Sequence, residues 1–480
     1  MIENLIGIFD DNQNNLDMIG GTKSNNNFTK TEIVLYNMKD KDRNNSDKLM
    51  NTLLIPLPNA NTVSVGIFIL AGSRQETSAF GIAHFLEHMT FKGTKKRTSE
   101  KLMIDLDSIG AQYNAMTGHE FTLYYISGDP RDITTLLDIV IDLYLNPTFP
   151  DTDIKKEQNV VLEELRMNED SNHRQLSNGI YKNLYDGIDD TLARPIIGYK
   201  ETISKMNRND IMSYRTENYK GSNCLLCVSG NFETDTVVES IQEYFKTYLV
   251  KQTIEPNLFH DLLNKNSQIC TFASLSPTLQ KYIHITKNIN QTIINFVFNT
   301  YNTYNYNNTA VDLVCDILSN GFSSRLFNLL RNKMGVSYYN NSYNRNFKDV
   351  GQMFISVGVD DVSVEKTIKG ILDELKNIAK DGITKEELAK SKKQNETSLL
   401  FQFKDPYEYM MYYGLNYLTK KPLYSISEML KIINSVKLDD INHIMREIIK
   451  PNNLIIGTIG KVNEKTMKNI NKLIKSFDKS

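Results

Sequence analysis

Two histidines and a glutamate stand together in His84-Phe85-Leu86-Glu87-His88, at a spacing that suits metal-assisted hydrolysis. On a helix turning about 100° per residue, His88 lies about 40° round from His84, and Glu87 about 60° to the other side. The three polar groups therefore share one face. Imidazoles four residues apart suit tetrahedral zinc, and a carboxylate beside them can take a proton from water. Two surface histidines on an amphipathic helix would give the same spacing. Against that, the chain has only seven histidines, and these two sit among Ala83, Phe85, Leu86, Met89 and Phe91. Burying such a cluster without an ion is costly.

A hydrolytic zinc site needs a third protein ligand and an open position. Candidates stand in Glu157-Gln158-Asn159-Val160-Val161-Leu162-Glu163-Glu164. Glu157 and Glu164 are seven residues apart and share a helical face, while Glu163 points elsewhere. Spacing alone does not select Glu164, because charged helix faces are commonly just solvated.

The elements that must position these groups are legible in outline. Strands are predicted near 31–37, 51–56 and 61–71, then a helix over about 79–90. A second helix starts at Thr98 as N-cap and runs to about Ile109, closed by Gly110. Two strands flank Thr117-Gly118, and long helices follow, one over about 151–168. Strands and helices are segregated, which predicts an α+β fold.

The chain also repeats itself at a nearly constant offset. Thr62 to Phe68 is echoed by Thr292 to Phe298, Tyr125 to Asp129 by Phe354 to Gly358, and Leu225 to Phe245 by Leu454 to Phe477. Two duplicated α/β domains follow, each a mainly antiparallel sheet packed with helices. The expected boundaries are an Asn-rich N-terminus over 1–28, a zinc-binding domain over 29–251, a linker over 252–276 and a degenerate copy over 277–480. Where the second copy should carry the two histidines it has Val314 and Leu318, which cannot bind metal.

Ala83 to Met89, followed by Lys92-Gly93-Thr94, resembles the signature of the pitrilysin/insulinase family of zinc metallopeptidases, whose H-x-x-E-H inverts the commoner H-E-x-x-H. The likeness spans roughly residues 50–470. It is nearest to the branch of half-length chains that includes the mitochondrial processing peptidase β subunit. The resemblance implies one zinc per chain, held by His84, His88 and a glutamate well beyond the second histidine, at the distance where Glu164 stands. It further implies that Glu87 is the general base, that Glu157 supports a ligand, and that each chain forms half of a clamshell. The strand around Asn114, Ala115 and Thr117 would bind extended substrate at its edge. From the second copy, Arg331 and Tyr338 resemble the family's Arg/Tyr pair, which holds substrate backbone and the developing oxyanion, in half-length chains from the facing subunit. The Gly-rich loop of the processing peptidase α subunit is missing, with only Asn320-Gly321-Phe322 in that region.

The expected activity is that of a zinc-dependent metalloendopeptidase for unfolded peptides, working as a homodimer or as a heterodimer with a related subunit. The alternative is a non-catalytic subunit resembling the core proteins of the respiratory cytochrome bc complex, which have typically lost part of the metal set. A net charge of −2 argues against nucleic acid or an anionic membrane surface as partner. No apolar run approaches the ~20 residues that span a bilayer. The polar N-terminus resembles neither a secretory signal nor an Arg-rich presequence. Four scattered cysteines make no disulfide framework, so a reducing compartment such as the cytoplasm is expected. Cys224 and Cys227 lie in an apolar strand, read as small buried residues on its opposite faces.

Overall fold

The chain's most apolar stretches become the central strands of two sheets. In this computed structural model the described residues are 32–40, 49–252, 279–337 and 339–479, with 259, 263 and 269. The first sheet contains β1 (Val34–Asp40), β2 (Asn51–Pro56), β3 (Val63–Ile69), β4 (Gln112–Thr117), β5 (Thr122–Gly128), β6 (Cys224–Gly230) and β7 (Thr247–Gln252), in the order β4-β5-β3-β6-β2-β1-β7. The second contains β8 (Tyr282–Thr286), β9 (Thr292–Thr300), β10 (Tyr339–Asn346), β11 (Gly351–Val359) and β12 (Ile455–Gly460), in the order β10-β11-β9-β12-β8. Residues 31–480 form one compact unit. The expected N-terminal segment 1–28 lies outside the described residues, as does nearly all of the expected linker 252–276.

Duplication is written into the registers. The five strands of the second sheet follow the order of β4-β5-β3-β6-β2, and each sheet has one parallel pair at the equivalent place, β2 with β6 and β8 with β12. Val63 stands opposite Gly128, and Ile293 opposite Gly358, so both members of the pair are displaced by the same interval along the chain. The α+β class and the duplicated architecture are thus those the sequence predicts.

Both faces of each central strand are buried because helices cover both sides. On one face of the first sheet Ile67 and Val65 pack with Leu86 of the helix Ile82–Thr90 and Leu137 of the helix Ile133–Leu145. The other face is covered by a helix from the second copy. Met410 and Tyr413 of Pro406–Leu418 cluster with Phe68, Leu53 and Leu225. The exchange is reciprocal: Leu176, Ile180 and Leu184 of the first copy's helix Asn172–Tyr185 cluster with Val297, Ile455 and Ile459 of the second sheet. Two glycines permit the close approach. A Cβ on Gly414 would stand 2.6 Å from the Phe68 ring, and one on Gly457 would stand 2.9 Å from Ile180.

Cys224 and Cys227 point to opposite faces of β6, one into each core cluster, and both are buried free thiols. Cys270 lies outside the described residues. No helix among the described residues is long and apolar enough to cross a membrane.

Candidate active site

The helix Ile82–Thr90 begins where Gly81 takes a left-handed φ of 96°, a conformation that glycine adopts without a side-chain clash. Its free N-terminal amides are satisfied by a buried carboxyl group, that of Glu76, which accepts from Gly81 N at 2.9 Å and Ala83 N at 3.0 Å. Ile82, Ala83, Phe85, Leu86, Met89 and Thr90 are all buried. His84, Glu87 and His88 are the helix's three residues left partly open, and all three line one cavity of about 880 Å³.

The long helix Asp151–Asp170 crosses beside it. Its apolar residues Ile154 and Val161 are buried together with Glu157, which fixes the face turned inward. Glu164 is on that face, whereas Glu163 is exposed and pairs with Arg166. Glu157 and Glu164 take different nitrogens of one ring. Glu157 meets His88 Nδ1 at 2.8 Å, and Glu164 stands 3.4 Å from His88 Nε2 and 3.5 Å from His84 Nε2. The other Glu157 oxygen is 2.6 Å from Lys92 Nζ.

These separations fit an ion. Ligands about 2.0–2.1 Å from a tetrahedral zinc stand roughly 3.3 Å apart, close to the distances from each Nε2 to Glu164. The ligating atoms of His84, His88 and Glu164 all lie within 4.8 Å of one another. The donor set of two imidazoles and a carboxylate is suited to zinc with one position open. Glu157 on His88 Nδ1 is the outer partner that orients a ligating ring. The buried Nδ1 of His84 has no such partner among the described residues.

The electrostatics differ sharply between the two rings. Burial, with the charge of His88, lowers His84 to about 4, so it is neutral near pH 7. Burial also acts to lower His88, but hydrogen bonds to Glu157 and Glu164 outweigh it and raise the ring to about 9. The His88 hydrogen bond, opposed by burial, holds Glu164 below the usual carboxylate range. Burial raises Glu87, partly countered by a 2.5 Å hydrogen bond from Thr117 Oγ1.

Thr117 belongs to β4, the outermost strand of its sheet, and Ala115 and Thr117 line the cavity. Asn114 is exposed, does not line it, and accepts from Ala115 N with its own side chain. Arg331 also stands outside the lining, on the π-helical segment Asn328–Lys333, with its guanidinium 5.2 Å from the Phe327 ring centre. Tyr338 lies outside the described residues. Val314 and Leu318 are buried on the helix Asn308–Ser319.

Several groups in or beside the cavity escape the sequence reading. His119 is buried, hydrogen-bonded to Ser73 Oγ at 2.9 Å, and lowered to about 3 by burial and the charges of Arg345 and Arg74. Arg345 enters from β10 of the second sheet. Arg74 holds Glu120, Asp189 and Asp349 at 2.8, 2.7 and 2.6 Å, tying the two copies together beside the site. Glu76 also escapes it, although it has a local signal, an acid shortly before a helix start.

Residues 51–198 match the family model described as insulinase (peptidase family M16), and residues 205–395 match that of the peptidase M16 inactive domain. An uncharacterized zinc protease of Rickettsia bellii is 31% identical over 435 residues, covering 86% of this chain and 99% of the relative. The uncharacterized zinc protease YmxG of Bacillus subtilis is 28% identical over 400 residues, covering 82% and 91%. Among solved structures, a protease from Helicobacter pylori aligns with a TM-score of 0.74 at 18% identity, over 88% of this chain and 99% of that one. A peptidase M16 inactive domain from Pseudomonas fluorescens aligns with a TM-score of 0.75 at 16% identity, over 89% and 98%.

Proposed function

Because this chain belongs to the insulinase family of peptidases, family M16, we propose that it is a zinc-dependent metalloendopeptidase acting on unfolded peptides. The observation that carries the reading is the convergence of two imidazole Nε2 atoms on one Glu164 oxygen, with the Glu87 carboxylate one residue from His88. Zinc in such a site supplies Lewis acidity, which brings the pKa of water from about 15.7 towards ~7. His84, His88 and Glu164 would hold the ion, and Glu157 would keep the His88 ring in register. Glu87 takes the proton from the attacking water and returns it to the leaving amine. Thr117 orients Glu87 for that transfer. An extended peptide adds to the free edge of β4, so its backbone is held along the cavity wall.

Arg331 and Tyr338 would complete a site by holding substrate backbone and stabilising the oxyanion. With Arg331 outside this chain's cavity, the arrangement that uses it is a dimer in which the pair acts on the partner's site. The match of residues 205–395 to an inactive domain takes in the last elements of the first copy and much of the second, which has Val314 and Leu318 in place of the histidines. A chain that binds zinc without turnover, in the manner of a structural subunit, is the competing outcome.

Zinc content by plasma mass spectrometry and hydrolysis of quenched peptides, with and without chelator, test the reading together. Stoichiometric zinc with chelator-sensitive cleavage is expected. Glu87→Gln should keep the zinc and lose about 10²–10⁴-fold in rate. Loss of zinc from that variant removes the role given to Glu87. Zinc without cleavage in the wild type favours the structural subunit.

A further inference from the structure

Arg345 differs from the other strongly placed arginines of this chain. Arg74 is met by three carboxylates, and Arg97 and Arg325 each have acidic partners. Among the described residues no carboxylate pairs with Arg345, although it is partly buried and lines the cavity that holds the metal-site residues. Its guanidinium lies against an aromatic floor, 5.3 Å from the Tyr181 ring centre and 5.4 Å from that of Phe347. The His119 ring closes this group, 5.5 Å from Phe347 and 6.2 Å from Tyr181. His119 is kept neutral by burial and by the neighbouring arginines, so it adds no charge. Away from the metal end, the cavity's remaining carboxylates, Glu169 and Glu201, are solvent-exposed. Arg194, the other partly buried arginine of the lining, is already engaged, donating to the Glu76 carbonyl at 3.2 Å and stacked 4.1 Å from the Phe80 ring centre.

We propose that Arg345 is a specificity-determining residue that receives a substrate carboxylate two to three residues from the scissile bond. This rests on the peptidase reading above. Two paths through the fold give the distance. Arg174 and Tyr181 lie on one helix, and Arg174 donates to Asn168, one turn beyond Glu164, while Tyr181 lies under Arg345. Seven helical residues span about 10 Å, and an extended peptide advances about 3.3 Å per residue, which is roughly three residues. Along the chain itself, Thr117 touches Glu87, and His119, two residues on, belongs to the Arg345 group. A planar guanidinium held on aromatic rings, with no counter-ion among the described residues, is suited to bidentate recognition of a carboxylate. That carboxylate comes from an aspartate or glutamate side chain, or from the end of the substrate chain.

The test uses the full-length, zinc-loaded chain carrying Glu87→Gln, so that binding is read without turnover. Fluorescein-labelled peptides of neutral sequence carry one glutamate, moved position by position, or glutamine in its place. Each is made with a free or an amidated C-terminus. Anisotropy titrations should show one register in which the acidic peptide binds about 10–100-fold tighter than its glutamine twin, the usual size for a charge-assisted contact in a water-poor site. Adding Arg345→Gln should bring that ratio to about one and leave the affinity of the glutamine peptide unchanged. Arg345→Lys should keep part of the ratio, and Arg345→Glu should transfer the preference to a lysine peptide. A twin ratio that survives amidation assigns the side-chain source, and a loss of affinity on amidation shared by both twins assigns the chain end. Equal affinities for both twins in every register with no loss on amidation overturn the proposal, as does a twin ratio or an amidation effect that persists in Arg345→Gln. Cleavage of the same peptides by the chain with Glu87 intact is scored separately. Failure of cleavage alone strikes the peptidase reading, while the affinity ratio still decides the role of Arg345.

Discussion

Glu157 offers the sharpest test of how the metal site is held. Its side chain is 4% exposed, and its two oxygens are divided between His88 Nδ1 at 2.8 Å and Lys92 Nζ at 2.6 Å. Despite burial, which acts to raise it, those two partners hold its carboxyl below the usual range, so it is an anion at neutral pH. Glu157→Gln keeps the shape and an oxygen that accepts from Nδ1, and removes only the charge. An outer partner of a ligating histidine typically contributes 10–100-fold in metal affinity, about 1.4–2.7 kcal/mol. The lower half of that range is expected here, because the amide still orients the ring.

The assay is competition for zinc against a chromogenic chelator near pH 7.5, with a denaturant melt of the zinc-free protein as control. Glu157→Ala should weaken zinc further than Glu157→Gln, since it leaves both Nδ1 and the Lys92 ammonium without a partner. Lys92→Gln should weaken zinc less than either, because Lys92 acts on the ring only through Glu157. Zinc affinity within threefold of wild type in a stably folded Glu157→Gln would refute the reasoning. An order in which Lys92→Gln outweighs Glu157→Gln would also refute it.

Three further perturbations follow from groups around the site. Burial pushes Glu76 up to about 8 against an unfolded value near 4.3, so the folded chain keeps a proton that the unfolded chain has lost. Stability from this group therefore falls as pH rises from about 4.5 to about 8, and the wild type should lose up to about 3 kcal/mol relative to Glu76→Gln between pH 4.5 and 7. Urea melts of the zinc-free proteins read it, and a pH-independent difference contradicts it. Arg74→Met strands three carboxylates, at a cost near the low end of about 3–5 kcal/mol, since the Asp349 side chain is 43% exposed and can turn to water. A loss below about 1 kcal/mol in urea melts means that the cluster does not tie the copies together. Finally, Arg331→Ala and Glu87→Gln, each inactive alone, should regain roughly a quarter of wild-type activity when mixed and re-equilibrated as a two-fold dimer. No recovery on mixing places Arg331 in its own chain's site or outside the reaction.

What the sequence could reveal was set by how locally each feature is encoded. His84, Glu87 and His88 fall within two turns of one helix, so their common face follows from periodicity alone. Glu157 and Glu164 share a face by the same rule, but which carboxylate meets which nitrogen depends on how two helices cross. The resemblance favoured Glu164, and in the structure it is Glu164 that stands near both Nε2 atoms while Glu157 holds Nδ1. The repeat was legible because strand register survives as apolar pattern. Arg345, His119 and Arg74 were not legible, because their partners lie far away in the chain, some in the same copy and some in the other. Arg331, by contrast, was singled out only by the resemblance, and the arginine that reaches the cavity in this chain from the second sheet is Arg345.

The place of Arg345 in the cavity follows from the reciprocal exchange of helices. A constant offset between the copies says which segments are equivalent but not which sheet each helix covers. Helix Asn172–Tyr185 leaves the glutamate helix at Ser171 and ends under the second sheet. One end of it is therefore tied to the metal site and the other to β10 and β11, through Arg345 over Tyr181 and the hydrogen bond from Gln352 to Tyr185. The cavity consequently has a wall from each copy. The copy with Val314 and Leu318 in place of the histidines supplies the cavity with a cation that no described carboxylate of the first copy pairs with. A degenerate repeat placed in this way retains a reason to keep its register, because a one-residue slip of β10 against β11 would carry Arg345 to the opposite face of the sheet.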